Sequence, residues 1–192
     1  MSSLKFEDLN CATSLDSLRV IPLICQGDTD VFRTPRAVTI FNAPFVFTRV
    51  KLANLVSARV SLAPADANGK PWSSLYDQAG LYLVLGVSPG PTVVDEACIN
   101  ANCRWIKAGV EVFPDKPICD VVVCDRFADW SLAPLSEGMM TIELVREVID
   151  GKKTETLWVW ATGTEKGRRQ MHEITWVYDE EGEAPKNESR DL

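Results

Sequence analysis

Residues 104–113, RWIKAGVEVF, decide the fold. Read with a period of two, the stretch puts Ile106, Ala108, Val110 and Val112 on one face of a strand. Trp105, Lys107, Gly109 and Glu111 fall on the other. The first face is uniformly apolar and is expected to meet an opposing sheet. The second mixes an aromatic, two charges and a gap, so it is either exposed or lines a groove. Residues 81–87 alternate in the same way. Leu81, Leu83, Leu85 and Val87 form a core set, which leaves Tyr82, Val84 and Gly86 outside.

Outward from these two runs the chain is a succession of short apolar segments broken by Pro, Gly and Asn. They are AVTIF (37–41), FVFTRVKL (45–52), ARVSLA (58–63), CDVVVCDRF (119–127), MMTIELVREVI (139–149), TLWVWATG (156–163) and MHEITWVYD (171–179). Strands at this spacing predict an all-β sandwich or barrel of antiparallel sheets, with little helix. Thr141–Ile149 also fits a helix, with Ile142, Val145 and Ile149 on one side. The strand reading is preferred because Asp150-Gly151 supplies a hairpin turn and residues 156–161 return from it. Residues 1–10 are expected to form a short helix or arm with Leu4, Phe6 and Leu9 as contacts. The expected organisation is an N-terminal arm (1–24), one sandwich domain (25–178) and an acidic, disordered tail (179–192).

At 192 residues the chain can bury about 70% of its extended surface, so it needs no metal or disulfide to fold. The net charge is −7, of which the tail contributes −4 (six acids, two bases), leaving −3 on the remaining residues. There is no basic stripe, so nucleic acid is not an expected partner. No apolar run approaches the length of a membrane span, and the first residues do not read as a signal peptide. The expected address is the cytoplasm, and Cys11, Cys25, Cys98, Cys103, Cys119 and Cys124 are expected to be reduced. The spacing of the last four resembles zinc ligation but fails on geometry. Cys119 and Cys124 lie five residues apart on a strand, facing opposite ways and about 16 Å apart. Neither metal nor cofactor is expected.

Gly86-Val87-Ser88-Pro89-Gly90 matches the G-x-S-x-G elbow of serine hydrolases, yet Pro89 has no N–H to offer an oxyanion. His172 is the sole histidine, on a strand face with Ile174, Trp176 and Tyr178, where a structural role is the commoner one. Asp28 and Asp30 are the acids placed i, i+2 within the domain. Glu111 could instead meet Asp129 or Asp77 across neighbouring strands. Trp158 and Trp160 share a face, and Trp105 stands on the mixed face, so either could offer a platform for a sugar ring or simply fill a sheet surface.

Three blocks occur in order: Tyr76-Asp77-Gln78-Ala79-Gly80-Leu81, Trp105-Ile106-Lys107-Ala108-Gly109-Val110-Glu111, and residues 121–131, VVVCDRFADWS. Together with residues 28–32 (DTDVF), Asn42-Ala43-Pro44 and residues 173–176 (EITW), they resemble an uncharacterised family that includes the fungal "regulation of enolase" protein. Cys124, Ala128 and His172 depart from that pattern. The resemblance implies a concanavalin A-like lectin/glucanase jelly roll with one concave face, and a cytoplasmic regulatory role near glycolysis. The Glu-x-Asp-x-x-Glu string of the glucanase branch does not occur here. The expectation is therefore a binding or regulatory protein for a carbohydrate, small metabolite or metabolic protein. The alternative is a cofactor-independent enzyme in the groove. Candidate ligand-binding residues are Asp77, Gln78, Trp105, Lys107, Glu111, Asp129, Trp130 and His172. The same groups would equally suit an ion-pair network stitching strand ends, with Asp129-Trp130-Ser131 as a turn. Oligomeric state is left open.

Overall fold

A computed structural model describes residues 7–9, 27–35, 39–63, 69–70, 72–85, 103–134, 139–164 and 167–178. Twelve strands are seen: β1 (Glu7–Leu9), β2 (Val31–Arg33), β3 (Thr39–Phe41), β4 (Phe45–Phe47), β5 (Ser57–Leu62), β6 (Gln78–Leu85), β7 (Arg104–Val112), β8 (Pro117–Cys124), β9 (Ala128–Pro134), β10 (Met140–Ile149), β11 (Lys152–Thr164) and β12 (Gly167–Ile174). Among the described residues a single 3-10 turn, Leu52–Asn54, is the only helical element.

Every pairing is antiparallel. One four-stranded sheet runs β6-β7-β8-β9 and the other β12-β11-β10-β5, with β2-β3 and β1-β4 as separate two-stranded ribbons. The two larger sheets pack face to face as a β-sandwich. Leu85, Ile106, Ala108, Val110, Cys119 and Val121 from the first meet Met140, Ile142, Leu144, Leu157, Val159, Ala161 and Ile174 from the second. This is the alternation read in residues 104–113: the even positions are wholly buried between the sheets.

The strand reading of Thr141–Ile149 holds. Ile149 pairs with Lys152, and Asp150 and Gly151 both take positive φ (51° and 76°), as a two-residue hairpin turn demands. Three expectations need correction. Residues 7–9 form a strand against β4 rather than a helix, because the β4 edge accepts their backbone groups. The run 45–52 ends as a strand at Phe47 and turns through the 3-10 segment. Asp129-Trp130-Ser131 lies within strand β9, not a turn, since β8 offers a free edge that it completes. Cys119 and Cys124 stand on opposite faces of β8, one between the sheets and one in the outer cluster, as strand alternation requires. The G-x-S-x-G stretch, Cys11, Cys25, Cys98 and the acidic tail lie outside the described residues.

On the other side of the β6–β9 sheet a second, smaller cluster forms. Val31 and Phe41 of the β2–β3 ribbon pack on Trp105, Val122 and Cys124, with Phe45 and Tyr82 at its border. The Phe41, Phe45, Tyr82 and Trp105 rings follow one another at centroid separations of 5.1–6.0 Å. One end of this outer face is thereby roofed. The other end carries the polar residues.

Candidate functional site

Strand register places the outer-face residues in four rows across β6, β7, β8 and β9. They are Val84–Trp105–Cys124–Ala128, Tyr82–Lys107–Val122–Trp130, Gly80–Gly109–Asp120–Leu132 and Gln78–Glu111–Ile118–Pro134. The third row is distinctive. Its first two members have no side chain, and its third is a carboxylate buried to 1% exposure. A Cβ on Gly80 would run into the Ala108 carbonyl oxygen and sit 2.6 Å from Gly109 Cα. A Cβ on Gly109 would strike the Ala79 carbonyl oxygen. Glycine is required at both by the close approach of the two backbones. Along this row Gly80 is exposed, whereas Gly109 and Asp120 are buried.

Polar side chains line both flanks. Lys107 Nζ donates to Gln78 Oε1 at 2.6 Å and to Asp30 Oδ1 at 3.3 Å, so it bridges the rows on either side of the glycines. Gln78 Nε2 also donates to Asp30 Oδ1, at 3.2 Å. Asp30 reaches the sheet because residues 28–30 are clasped by Asn42. The Asp30 N–H donates to Asn42 Oδ1 at 2.8 Å, the Asn42 side-chain amide donates to the Asp28 carbonyl at 3.0 Å, and Asp28 takes a positive φ of 64°. The two short blocks DTDVF and Asn42-Ala43-Pro44 thus exist locally as one turn that delivers one carboxylate.

Trp130 approaches from β9. Its indole N–H hydrogen-bonds Glu111 two strands away, a diagonal that crosses directly over Asp120. Phe113 packs edge-on against Trp130 at 5.2 Å, and Tyr76 stacks on Phe113 at 5.9 Å, forming an aromatic arc beside the carboxylates. Trp130 and Tyr76 are 38% and 51% exposed.

Electrostatics here are dominated by burial. Desolvation pushes Asp120 up to about 7, with Glu111 and Asp30 adding to the rise and Lys107 opposing it. Glu111 is raised for the same reason, countered by Lys107 and by the Trp130 hydrogen bond. Lys107 is the only cation acting on either carboxylate among the described residues. Asp120 Oδ2 is buried without a hydrogen-bond partner among them. A buried carboxyl oxygen in that state is costly and marks a place where a donor belongs. Among the described residues no group of three or more His, Cys, Asp or Glu is arranged to hold a metal ion.

Of the eight sequence candidates, the structure unites Gln78, Lys107, Glu111 and Trp130. Trp105 shares their face but is 1% exposed, because the β2–β3 ribbon covers it, so it supports the site and cannot be a platform. Asp77 precedes β6 and turns its carboxylate onto the Ser74 N–H at 3.1 Å, closing a turn. Asp129 pairs with Val123, which pairs with core Ile106, so alternation puts it on the opposite face at an exposed edge. His172 is half-buried on β12, opposite Val159, with the core between it and Lys107. Trp158 and Trp160 are also committed: Trp158 donates to Glu147 at 3.0 Å, and the Arg168 guanidinium lies 4.0 Å over Trp160. Asp120 was missed by sequence reasoning, and Asp30 was noticed only as a partner of Asp28. The signal for Asp120 is a lone acid within an apolar strand, on the parity of Val122 and Cys124.

These positions fall within a stretch that a known family profile covers. Residues 12–181 match the profile of a protein family of unknown function, DUF1349. The chain belongs to that family. An uncharacterized protein of Emericella nidulans, AN7484, is 36% identical to it over 157 residues, covering 80% of this chain and 66% of the relative, so the match spans slightly under two thirds of that protein. The crystal structure of a functionally unknown protein from Saccharomyces cerevisiae superposes with a TM-score of 0.61 at 16% identity, covering 89% of this chain and 79% of that one. That likeness speaks to the fold of this DUF1349 member alone. No helix among its described residues is long and apolar enough to cross a membrane.

Proposed function

We propose that the chain is a binding module that takes a small polar metabolite at the polar cluster on the outer face of the β6–β9 sheet. The observation that carries this reading is Asp120: a buried carboxyl oxygen without a donor among the described residues, set beside the Lys107–Gln78–Asp30 hydrogen bonds. Gln78, Lys107, Glu111 and Asp30 supply further donors and acceptors around it. The sequence resemblance to the regulation-of-enolase proteins and to concanavalin A-like sandwiches supports a regulatory role in the cytoplasm, with a carbohydrate or other small metabolite as ligand, or with a metabolic protein as partner.

A second reading is a cofactor-independent enzyme, favoured by the protonation state of Asp120. A carboxyl brought to about 7 can give or take a proton at neutral pH, and Glu111 beside it is raised as well. A thermal-shift panel of neutral sugars, sugar phosphates, amino sugars, diamines and aromatic metabolites tests the binding reading, with Glu111→Gln as the control. A stabilising compound whose effect is lost in the variant is the expected result. If every compound that stabilises the protein does so equally in the variant, or none stabilises it, the polar cluster is scaffold. Turnover of a stabilising compound would move the assignment to the enzyme.

A further inference from the structure

We propose that the β10–β11 hairpin, together with the adjoining residues 49–57, docks on an anionic lipid surface. Its aliphatic side chains enter the lipid layer and its lysines meet the headgroups. This surface belongs to the other sheet and does not rest on the binding reading above.

The hairpin outruns both of its neighbours. β10 pairs with β5 only from Met140 to Val145, and β11 pairs with β12 only from Leu157 onward. Among the described residues, 147–156 therefore form a two-stranded ribbon with no strand on either side. Val148 and Ile149 are consecutive, so they point to opposite faces of that ribbon, and they are 53% and 55% exposed. Their direct partners on the return strand are Lys153 and Lys152. Each face of the tip thus carries one aliphatic group and one ammonium.

The adjoining segment repeats the mixture. Lys153 Nζ donates to the Ala53 carbonyl oxygen at 3.4 Å, and the Arg146 N–H donates to the Val56 carbonyl oxygen at 2.8 Å, which sets this segment beside the hairpin. Val50 and Val56 are exposed there, with Arg49 and Lys51 on either side of Val50. Four cations, Arg49, Lys51, Lys152 and Lys153, stand against two exposed carboxylates, Asp150 and Glu155. Glu147 is engaged by Thr154 and the Trp158 indole. Among the described residues Lys51, Lys152 and Lys153 enter no ion pair. The chain as a whole carries −7, but charges more than about 8 Å away are largely screened at physiological salt. A surface in contact with this end meets its local positive charge.

The shape selects the partner. A flat protein face covers one side of a narrow ribbon and leaves the aliphatic group of the other side in water. Immersion in a fluid lipid layer covers Val148 and Ile149 together. The lysine stems then run along the apolar boundary and keep their ammoniums among the headgroups. Each basic residue held near an anionic leaflet adds to the attraction.

Vesicle flotation of the full chain tests this, with phosphatidylcholine alone set against phosphatidylcholine mixed with phosphatidylserine. The chain should float with the mixed vesicles and not with the neutral ones, and added salt should release it. Lys152→Glu with Lys153→Glu, and separately Val148→Ser with Ile149→Ser, should each weaken the partition tenfold or more. All four positions lie on the ribbon outside the core, so both pairs should keep the parent Tm. Lys51→Glu, on the adjoining segment, should weaken the partition severalfold and serves as the readout if a ribbon pair loses that Tm. No flotation, or flotation that these variants leave unchanged, would overturn the proposal. So would flotation that survives the serine pair intact, since the contact would then be electrostatic alone. Binding to polyglutamate in place of vesicles, lost with the two lysines, would also overturn it and assign the hairpin to an acidic protein partner.

Discussion

Gly80 and Gly109 are direct partners across β6 and β7, and neither position tolerates a Cβ, because the atoms such a group would meet are backbone atoms of the facing strand. A flexible side chain could retreat; a paired carbonyl cannot. Gly109→Ala should therefore cost about 2 kcal/mol or more in urea unfolding, the scale of an overpacked core. Gly69→Ala is the contrast. It too is strained, by its φ of 78°, but it meets no atom within 4 Å and should cost about 1 kcal/mol. Equal costs at the two positions would show that the strands part easily.

Asp120 makes stability fall with rising pH. Its carboxyl is held near 7 when folded and returns to the ordinary carboxylate value when unfolded. Between about pH 4 and pH 7 the native state keeps a proton that the unfolded chain has released. Stability should decline across that window, and the full penalty, on the order of 4 kcal/mol, stands above it. Asp120→Asn should accordingly raise Tm at pH 8 and make much less difference at pH 4. A variant that gains nothing at pH 8 would mean that the carboxyl is stably ionised through some compensating contact.

Lys107→Met removes the single ammonium from the cluster and leaves Asp30 and Gln78 without its hydrogen bonds. A loss of about 3 kcal/mol is expected at pH 8, shrinking at pH 5 as the raised carboxyls of Asp120 and Glu111 take up protons. Chemical denaturation at the two pH values reads this directly. A cost independent of pH would assign Lys107 a packing role.

Tyr178 closes the far edge of the sandwich. Its hydroxyl donates to the Leu55 carbonyl oxygen at 3.1 Å, and the Arg146 guanidinium lies 3.8 Å over its ring. Tyr178→Phe keeps the ring and the cation–π contact but leaves that carbonyl short of a donor, so a loss of about 1 kcal/mol is expected. A loss several times larger would show that the hydroxyl organises more than one bond.

The alternation in residues 104–113 made the sandwich legible, because the even positions from Ile106 to Val112 are apolar without exception. Gln78, Lys107 and Glu111 were legible for the complementary reason: polar groups on the opposite parity of a strand whose other face is apolar. Trp105 misled because alternation gives a residue's face but not what covers it, and the β2–β3 ribbon that does so pairs locally, far away in sequence. Asp120 escaped notice because the three valines and two cysteines around it outweigh one acid in any reading of hydrophobicity. Asp129 would join the site only if residues 129–131 formed a turn; as part of strand β9 it points the other way. Asp30 and Asn42 required the tertiary structure, since nothing local says that two short loops clasp each other and point at a sheet.

The order of the strands also bears on how the chain reaches this state. β6, β7, β8 and β9 pair strictly with their sequence neighbours, so that sheet can assemble from local contacts as a meander. β5 is different: it pairs with β10, Ser61 lying opposite Thr141, eighty residues along the chain. Its docking must await closure of a loop that contains the entire β6–β9 sheet, which raises contact order and slows the final step. The lone acid of β8 would then enter its apolar strand early, before the second sheet completes the core behind it. Pulse-labelled hydrogen exchange during refolding should find the β7 and β8 amides protected ahead of those in β5. Simultaneous protection of both sets would make the two sheets a single cooperative unit from the outset.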